Sequence, residues 1–129
     1  MKKIVLFSTI ALLVVIGYFF YQKKILTARR IVVQQPVISA YLKITDQSNF
    51  VKYSIAPGKS ALDLTKEGAA IITKGGGANA YITGINGQVA LDSKKEYWAF
   101  YINGKLADVG AGSYILKGGD KIEWKIEKY

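Results

Sequence analysis

The C-terminal stretch from Tyr97 to Tyr129 constrains the fold most strongly. It contains two segments, YWAFYI and KIEWKIEKY, in which aromatic and β-branched residues favour β-strands. Asn103-Gly104 directly follows the first segment. This dipeptide favours a two-residue hairpin turn, because both central positions of such a turn need positive φ. Lys117 to Asp120 (KGGD) predicts a further turn before the last segment. The stretch therefore predicts paired strands at this end of the chain.

The net charge of +9 is concentrated towards the N-terminus. Six of the 18 basic residues lie before position 31, and no acidic residue precedes Asp46. A nucleic-acid surface would require a cluster of basic residues, but the later basic residues alternate with Asp and Glu. Because the early basic residues flank an apolar segment, the charge favours an anionic membrane surface as partner, and no nucleic-acid partner is predicted.

Cysteine and histidine are both absent from the sequence. Their absence excludes a disulfide framework and the usual zinc and thiol chemistry, and it removes the commonest general base near neutral pH. The acidic residues show no metal-ligand spacing, and no serine lies in a nucleophile-elbow context. We therefore predict a protein that is not an enzyme and has no catalytic residue, no metal site and no cofactor.

Ile4 to Tyr21 is an uncharged run of 18 residues, within the range of about 17–25 that spans a bilayer. A cleaved signal peptide is the alternative, but its apolar region is usually about 7–15 residues and ends in small residues. This run ends in bulky aromatic residues, so residues 1–22 are predicted to be a transmembrane anchor or uncleaved signal. Basic residues occur on both sides of the run and leave its orientation open. The N-terminal position favours a single-pass protein with its C-terminal domain outside the cytoplasm.

Residues 23–36 have the composition of a linker, and residues 37–129 form the predicted domain. VISAYLKIT and FVKYSI alternate like half-buried strands and are joined by turn residues. Ser60, with Asp63 three positions later, predicts the start of a short helix, and Gly68 predicts its left-handed end. AAIITK and AYITGI follow as strands, and Asn86-Gly87 predicts another turn. This order predicts an α+β fold, with one short helix on a mixed sheet.

Two glycine-containing motifs have competing interpretations. Gly58 to Ser60 precedes a helix, but a phosphate loop needs a glycine at position 53, which is Tyr. A turn followed by a helix N-cap is favoured there. Gly75 to Gly77 is followed by a strand and not by a helix N-terminus, so a hairpin turn is favoured over an anion nest.

The aromatic strand carries large side chains on both faces. One alternating set is Tyr97, Ala99 and Tyr101, and the other is Trp98, Phe100 and Ile102. One set has to be core, and the outward set is a candidate for binding because exposed aromatic patches often mark interaction sites.

With these segments in order, the chain resembles the transcobalamin C-terminal-like domain (the domain of unknown function 4430 family). The matching segments are SALDLTKE, AYITGING, EYWAFYINGKLADVGAGSY and LKGGDKIEW, between about Ser60 and Tyr129. The resemblance implies a β-grasp fold, like that of the small domain of cobalamin carriers such as transcobalamin and intrinsic factor.

In those carriers the small domain closes over cobalamin, and the matching positions here are 79–82 and 98–106. The resemblance therefore implies these ligand-binding residues: Asn79, Tyr81, Ile82, Trp98, Phe100, Tyr101 and Leu106. Gly104 and Gly110 would allow a ligand to approach the backbone closely. The carriers' helical barrel domain has no counterpart in this sequence, so the domain would cover only one side of a corrinoid.

We therefore expect a membrane-anchored, extracytoplasmic binding module for cobalamin, another corrinoid or another amphipathic small ligand. A transporter or a surface protein is a possible partner. The alternative is a structural or adhesion module of the cell surface that binds another protein through its sheet or an open edge.

Overall fold

Residues 11–23 and 35–129 are described in the computed structural model of the chain. The chain divides into two compact units, Met1–Gln34 and Gln35–Tyr129. In the first unit, residues 11–23 are helical (α1) and their side chains are exposed. Residues 4–10 of the predicted transmembrane run and residues 24–34 of the predicted linker lie outside the described residues. Within the described ranges, no helix combines the length and apolar character needed to cross a bilayer.

The second unit contains one helix and eight strands among its described residues. The elements are β1 (Ile38–Ile44), β2 (Val51–Ile55), α2 (Ala61–Gly68), β3 (Ile71–Lys74), β4 (Tyr81–Ile85), β5 (Gln88–Val89), β6 (Glu96–Ile102), β7 (Lys105–Leu106) and β8 (Lys121–Lys128). Short 3₁₀ turns at Gly77–Asn79 and Asp92–Lys94 precede β4 and β6.

The strands form two sheets where the sequence predicted one. The larger sheet has the order β2-β1-β8-β6-β7, and the smaller one has the order β3-β4-β5. Strands β1 and β8 are parallel, whereas the other pairs are antiparallel. Ile82 and Ile85 of β4 belong to the same buried cluster as Leu42 of β1 and Ile122 of β8. The second sheet therefore shares the core of the first, and the predicted α+β class with a mixed sheet and a short helix is confirmed.

Both predicted Asn-Gly turns have the expected geometry. Asn86 and Gly87 have φ values of 49° and 82°, and Asn103 and Gly104 have values of 50° and 83°. Each pair forms the two-residue connection of an antiparallel hairpin, β4–β5 or β6–β7. Positive φ at both positions is what a primed hairpin turn requires, so local sequence chemistry determines these two connections.

Helix α2 begins as predicted but ends differently. Ser60 is the N-cap, its side chain accepts a hydrogen bond from Asp63 N, and the Asp63 carboxylate accepts one from Ser60 N. The predicted left-handed conformation of Gly68 is wrong, since its φ is not positive and the chain leaves the helix through extended Ala69. Glycine at position 68 instead avoids a steric clash, because a Cβ there would lie 2.5 Å from Leu42 Cδ2 and 2.7 Å from the Tyr53 hydroxyl.

Candidate functional site

The two faces of β6 have different environments. Trp98 and Phe100 are buried in the core, opposite Ile126 and Trp124 of β8. Tyr101 is only half-buried and lies on the other face of the sheet, opposite Glu123. The Trp98 set is therefore the core set, and the tyrosine set is the outward one.

A cavity of about 210 Å³ is lined by residues from both alternating sets of β6, Trp98 and Phe100 of the core set and Tyr97 of the outward set. Three segments and one residue of β8 line this cavity, which we call the apolar cavity. Its lining residues are Ala80, Tyr81, Ile82, Tyr97, Trp98, Phe100, Val109, Gly110, Ala111 and Trp124. Since nearly all of these side chains are hydrophobic or aromatic, the cavity suits an apolar or aromatic group.

The two tryptophans of the chain both line the apolar cavity, but they differ in hydrogen bonding. Trp124 Nε1 donates to Thr65 Oγ1 at 2.9 Å, and its ring stacks on Phe100 with centroids 5.0 Å apart. Trp98 is 3% exposed, and its Nε1 has no hydrogen-bond acceptor among the described residues. A buried donor without an acceptor costs about 1–3 kcal/mol, so the Trp98 indole N–H is a destabilising feature of the core beside this cavity.

The structure brings four of the seven predicted ligand-binding residues together. Tyr81, Ile82, Trp98 and Phe100 line the apolar cavity, and Tyr81 leaves half of its side chain exposed to solvent. Gly110, predicted to allow close approach of a ligand, lines the cavity as well.

The other three predicted residues lie elsewhere. Asn79 is exposed at the end of a 3₁₀ turn and does not line the cavity. Tyr101 and Leu106 are directly paired between β6 and β7, on the face of the sheet opposite Trp98. Gly104 belongs to the hairpin turn and is not part of the cavity lining either. A ligand held against Trp98 would therefore not contact Tyr101 through the same surface.

Sequence reasoning missed Val109, Ala111 and Trp124 as lining residues. Trp124 lies opposite Phe100 on β8, a pairing that strand alternation could have indicated once the register of the two strands was known. Val109, which is exposed, and Ala111, which is buried, lie in the loop after β7, where no periodic pattern marks the residues that line a cavity.

Two loops beside the apolar cavity pack backbone against backbone. A Cβ on Gly112 would lie 2.5 Å from Gly77 O and 3.0 Å from Ala78 Cα. Ser113 Oγ donates to Ala78 O at 3.3 Å and links the same loops. The loop before β4 and the loop after β7, which contribute Ala80, Gly110 and Ala111 to the cavity lining, thus contact each other.

On the outward face of the larger sheet, two tyrosines share one carboxylate. Tyr101 and Tyr97 donate to Glu127 Oε1 and Oε2 at 2.5 and 3.3 Å. The hydrogen bond to Glu127 raises the pKa of Tyr101 to about 12, and desolvation, followed by the Glu127 charge, raises the pKa of Tyr97. Both phenols therefore remain protonated and neutral at physiological pH.

Charged side chains cover the rest of the outward face. Lys43 and Lys125 lie 3.3 and 3.2 Å from the Glu123 carboxylate, and Lys125 Nζ also lies 4.6 Å from the centre of the Tyr101 ring. Two ammonium groups thus share one carboxylate, and the outward face is polar and aromatic. Within residues 11–23 and 35–129, no group of three or more acidic side chains is arranged to hold a metal ion.

Comparison with known proteins gives one family and several solved structures. The family model described as "Domain of unknown function (DUF4430)" matches residues 58–128. No curated protein matches the chain. The family match confirms the resemblance that the sequence predicted between about Ser60 and Tyr129.

Two solved structures share the fold. Haptocorrin in complex with Cbi aligns with a TM-score of 0.65 and 23% identity over 74% of this chain, which corresponds to 26% of the haptocorrin chain. A "putative metal binding protein from Ruminococcus gnavus ATCC 29149" aligns with a TM-score of 0.57 and 20% identity, over 72% of this chain and 97% of that one. At these identities the likeness concerns the fold alone.

Proposed function

Given that this chain belongs to the family described as Domain of unknown function (DUF4430), we propose that it is a non-catalytic binding module for an amphipathic ligand with an apolar ring face. The proposal is supported by the cavity that Tyr81, Trp98 and Phe100 line together. A corrinoid is the candidate ligand, supported by the likeness of the fold to haptocorrin, whose structure is in complex with Cbi.

The observation that carries the proposal is that Trp98 lines an apolar cavity while its buried indole N–H has no acceptor among the described residues. A ligand with a hydrogen-bond acceptor at the edge of an apolar ring system would pair this donor and cover the aromatic side chains around it. Such a ligand gains from apolar burial and from removing the cost of an unsatisfied buried donor. A purely apolar ligand would gain only the first of these contributions.

The size of the apolar cavity limits how the ligand binds. Ligand sites usually have volumes of about 300–1,000 Å³, whereas this cavity has about 210 Å³. It would hold one edge of a corrinoid and leave the rest exposed or in contact with a partner. This chain spans only 26% of the haptocorrin chain, so a further domain or protein, such as a transporter component, would cover the remaining surface.

The proposal places the module outside the cytoplasm, on a single-pass anchor. It is supported by the length of the uncharged run from Ile4 to Tyr21 and by the position of this run near the N-terminus. Protease added to intact cells is expected to remove the C-terminal domain and to leave the anchor in the membrane. Complete protection of the domain, with digestion after the cells are opened, would contradict the exported orientation.

The ligand proposal is tested by titrating cyanocobalamin into the purified full chain and following the two tryptophan indole N–H signals by NMR. The Trp98 signal is expected to shift saturably, and the Trp124 signal to shift less because Thr65 already accepts its hydrogen bond. Trp98→Phe keeps an aromatic ring but removes the donor, and is expected to weaken binding by about 2- to 10-fold. Absence of any saturable change up to about millimolar ligand would contradict the proposal.

A surface interaction module is the second candidate function, and the open edge of the larger sheet favours it. Among the described residues, β2 pairs only with β1, so its outer edge leaves backbone groups for another strand. Crosslinking of the membrane-bound chain is expected to recover one partner, and Lys52→Glu on β2 to reduce its yield. Recovery of no partner from membranes that bind cyanocobalamin would eliminate this candidate.

A further inference from the structure

Tyr81 separates the apolar cavity from a second cavity of about 160 Å³, which we call the polar cavity. Besides Tyr81, this second cavity is lined by three charged residues, Lys74, Asp92 and Glu96, and by Thr83, Val89 and Ala90. Tyr81 lines both cavities and is about half exposed, so a ligand that lies across its side chain would contact both.

The fold holds the charged residues of the polar cavity in place from three directions. Lys74 ends β3 and lies directly opposite Tyr81 in the antiparallel pair with β4. Asp92 begins the 3₁₀ turn before β6. Glu96 is the first residue of β6, and its Oε2 accepts a hydrogen bond from Leu91 N at 3.2 Å. Strand pairing and the 3₁₀ turn before β6 therefore bring the lysine and the two carboxylates to one cavity.

The chemistry of these side chains selects the kind of group that can enter. A lysine ammonium only donates hydrogen bonds, whereas ionised carboxylates only accept them. A group that satisfies both kinds must carry a donor and an acceptor, as a primary carboxamide does. An anionic group meets two carboxylates against one ammonium and is disfavoured by charge, and an apolar group forms a hydrogen bond with none of the three.

We propose that the apolar and polar cavities form one bipartite site, which selects ligands whose apolar ring system carries a neutral carboxamide arm and discriminates against the same ligands with a carboxylate arm. This inference rests on the proposed function, because it assigns the ring system to the apolar cavity beside Trp98. It adds a specificity rule: the Asp92 carboxylate increases the preference for an amide over an acid, and the Lys74 ammonium decreases it.

The test compares cyanocobalamin with its separated monocarboxylates, in each of which one side-chain carboxamide has been hydrolysed to an acid. Affinities are measured by equilibrium dialysis with the full chain. At least one monocarboxylate is expected to bind about three- to fivefold more weakly than cyanocobalamin, as expected for one unfavourable charge contact near solvent.

Substitutions then locate the discrimination. Asp92→Asn removes a negative charge with little change in shape and is expected to reduce the amide-to-acid affinity ratio to below about twofold, whereas Lys74→Gln is expected to increase it. Asp46→Asn removes the same charge from the exposed turn between β1 and β2, and is expected to leave the ratio unchanged. Opposite changes from two substitutions cannot arise from a general loss of stability.

The outcomes separate this inference from the function on which it rests. Saturable binding of cyanocobalamin with equal affinity for every monocarboxylate overturns the bipartite site and leaves the binding module intact. A ratio that Asp92→Asn and Lys74→Gln do not change overturns the assignment to the polar cavity. Absence of saturable binding by any of the ligands overturns the proposed function and this inference together.

Discussion

Trp124 Nε1 donates a hydrogen bond of 2.9 Å to Thr65 Oγ1, which joins the last strand to helix α2 across the core. Thr65 Oγ1 in turn donates to Ala61 O at 2.8 Å, so the hydroxyl is used both as donor and as acceptor. Thr65 is fully buried, and no solvent can replace either bond. The hydroxyl therefore connects the helix backbone with the sheet at a site where its loss would be costly.

Thr65→Val tests this connection because valine has nearly the shape of threonine without the hydroxyl. It is expected to lower the free energy of unfolding by about 1–3 kcal/mol, since the Trp124 indole N–H loses its buried acceptor. Chemical denaturation followed by tryptophan fluorescence measures the change. Thr65→Ser keeps the hydroxyl and is the control. A Thr65→Val protein as stable as the wild type would show that the hydrogen bond contributes nothing net.

Asp120 connects two turns, the turn at residues 117–120 before β8 and the Asn103-Gly104 turn after β6. Its carboxylate is almost fully buried and accepts hydrogen bonds from Asn103 Nδ2, the Tyr114 hydroxyl and Lys117 N, at 3.0, 3.0 and 2.8 Å. Asp120→Asn places an amide N–H₂ group against one of these donors. It is expected to destabilise the fold by about 1–3 kcal/mol. The exposed Asp108→Asn substitution controls for the loss of charge, and equal unfolding midpoints for the two variants would refute the prediction.

The tyrosines on the outward face of β6 predict a loss of stability at alkaline pH. The hydrogen bond to Glu127 raises the pKa of Tyr101 to about 12 in the folded chain, against about 10 for an unperturbed tyrosine. Because the folded state retains the proton more strongly, this contribution is fully present below about pH 10 and is lost as the pH rises towards about 12.

Glu127→Gln is expected to shift the pKa of Tyr101 back towards its ordinary value, because the neighbouring negative charge is removed. The measurement is the alkaline titration of tyrosinate absorbance, in which the difference between the wild type and Tyr101→Phe isolates one of the nine tyrosines. Tyr81→Phe is the control, since its hydroxyl is not bonded to Glu127. A titration of Tyr101 near pH 10 in the wild type would contradict the assigned hydrogen bond.

Local sequence chemistry predicted much of this fold. The Asn-Gly turns, the capping box of Ser60 and Asp63, and the alternation in β1 and β2 depend only on residues close together in the chain. The parallel pairing of β1 with β8 does not, since it joins distant residues such as Ile44 and Trp124. No local pattern encodes that register.

The candidate site was predicted only in part, because it also depends on strand pairing that no local pattern encodes. Both alternating sets of β6 contain aromatic residues, so alternation alone could not decide which face is core. The decision comes from β8, which places Ile122 and Trp124 on the side of Phe100 and Glu123 on the side of Tyr101. The resemblance to carrier proteins indicated the whole range 98–106, and strand geometry then separates Trp98 and Phe100 from Tyr101 and Leu106.

Gly112 allows the two loops beside the apolar cavity to touch, and this contact predicts an effect on binding. In Gly112→Ala, the new Cβ would lie 2.5 Å from Gly77 O, a backbone atom that can move only if the loop moves. The loops are therefore expected to separate, and the affinity for cyanocobalamin to fall by about 10-fold or more, as dialysis would measure. Gly118→Ala adds a Cβ with no heavy atom within 4 Å and should leave affinity unchanged. Equal affinities of both variants would mean that the loop contact does not shape the site.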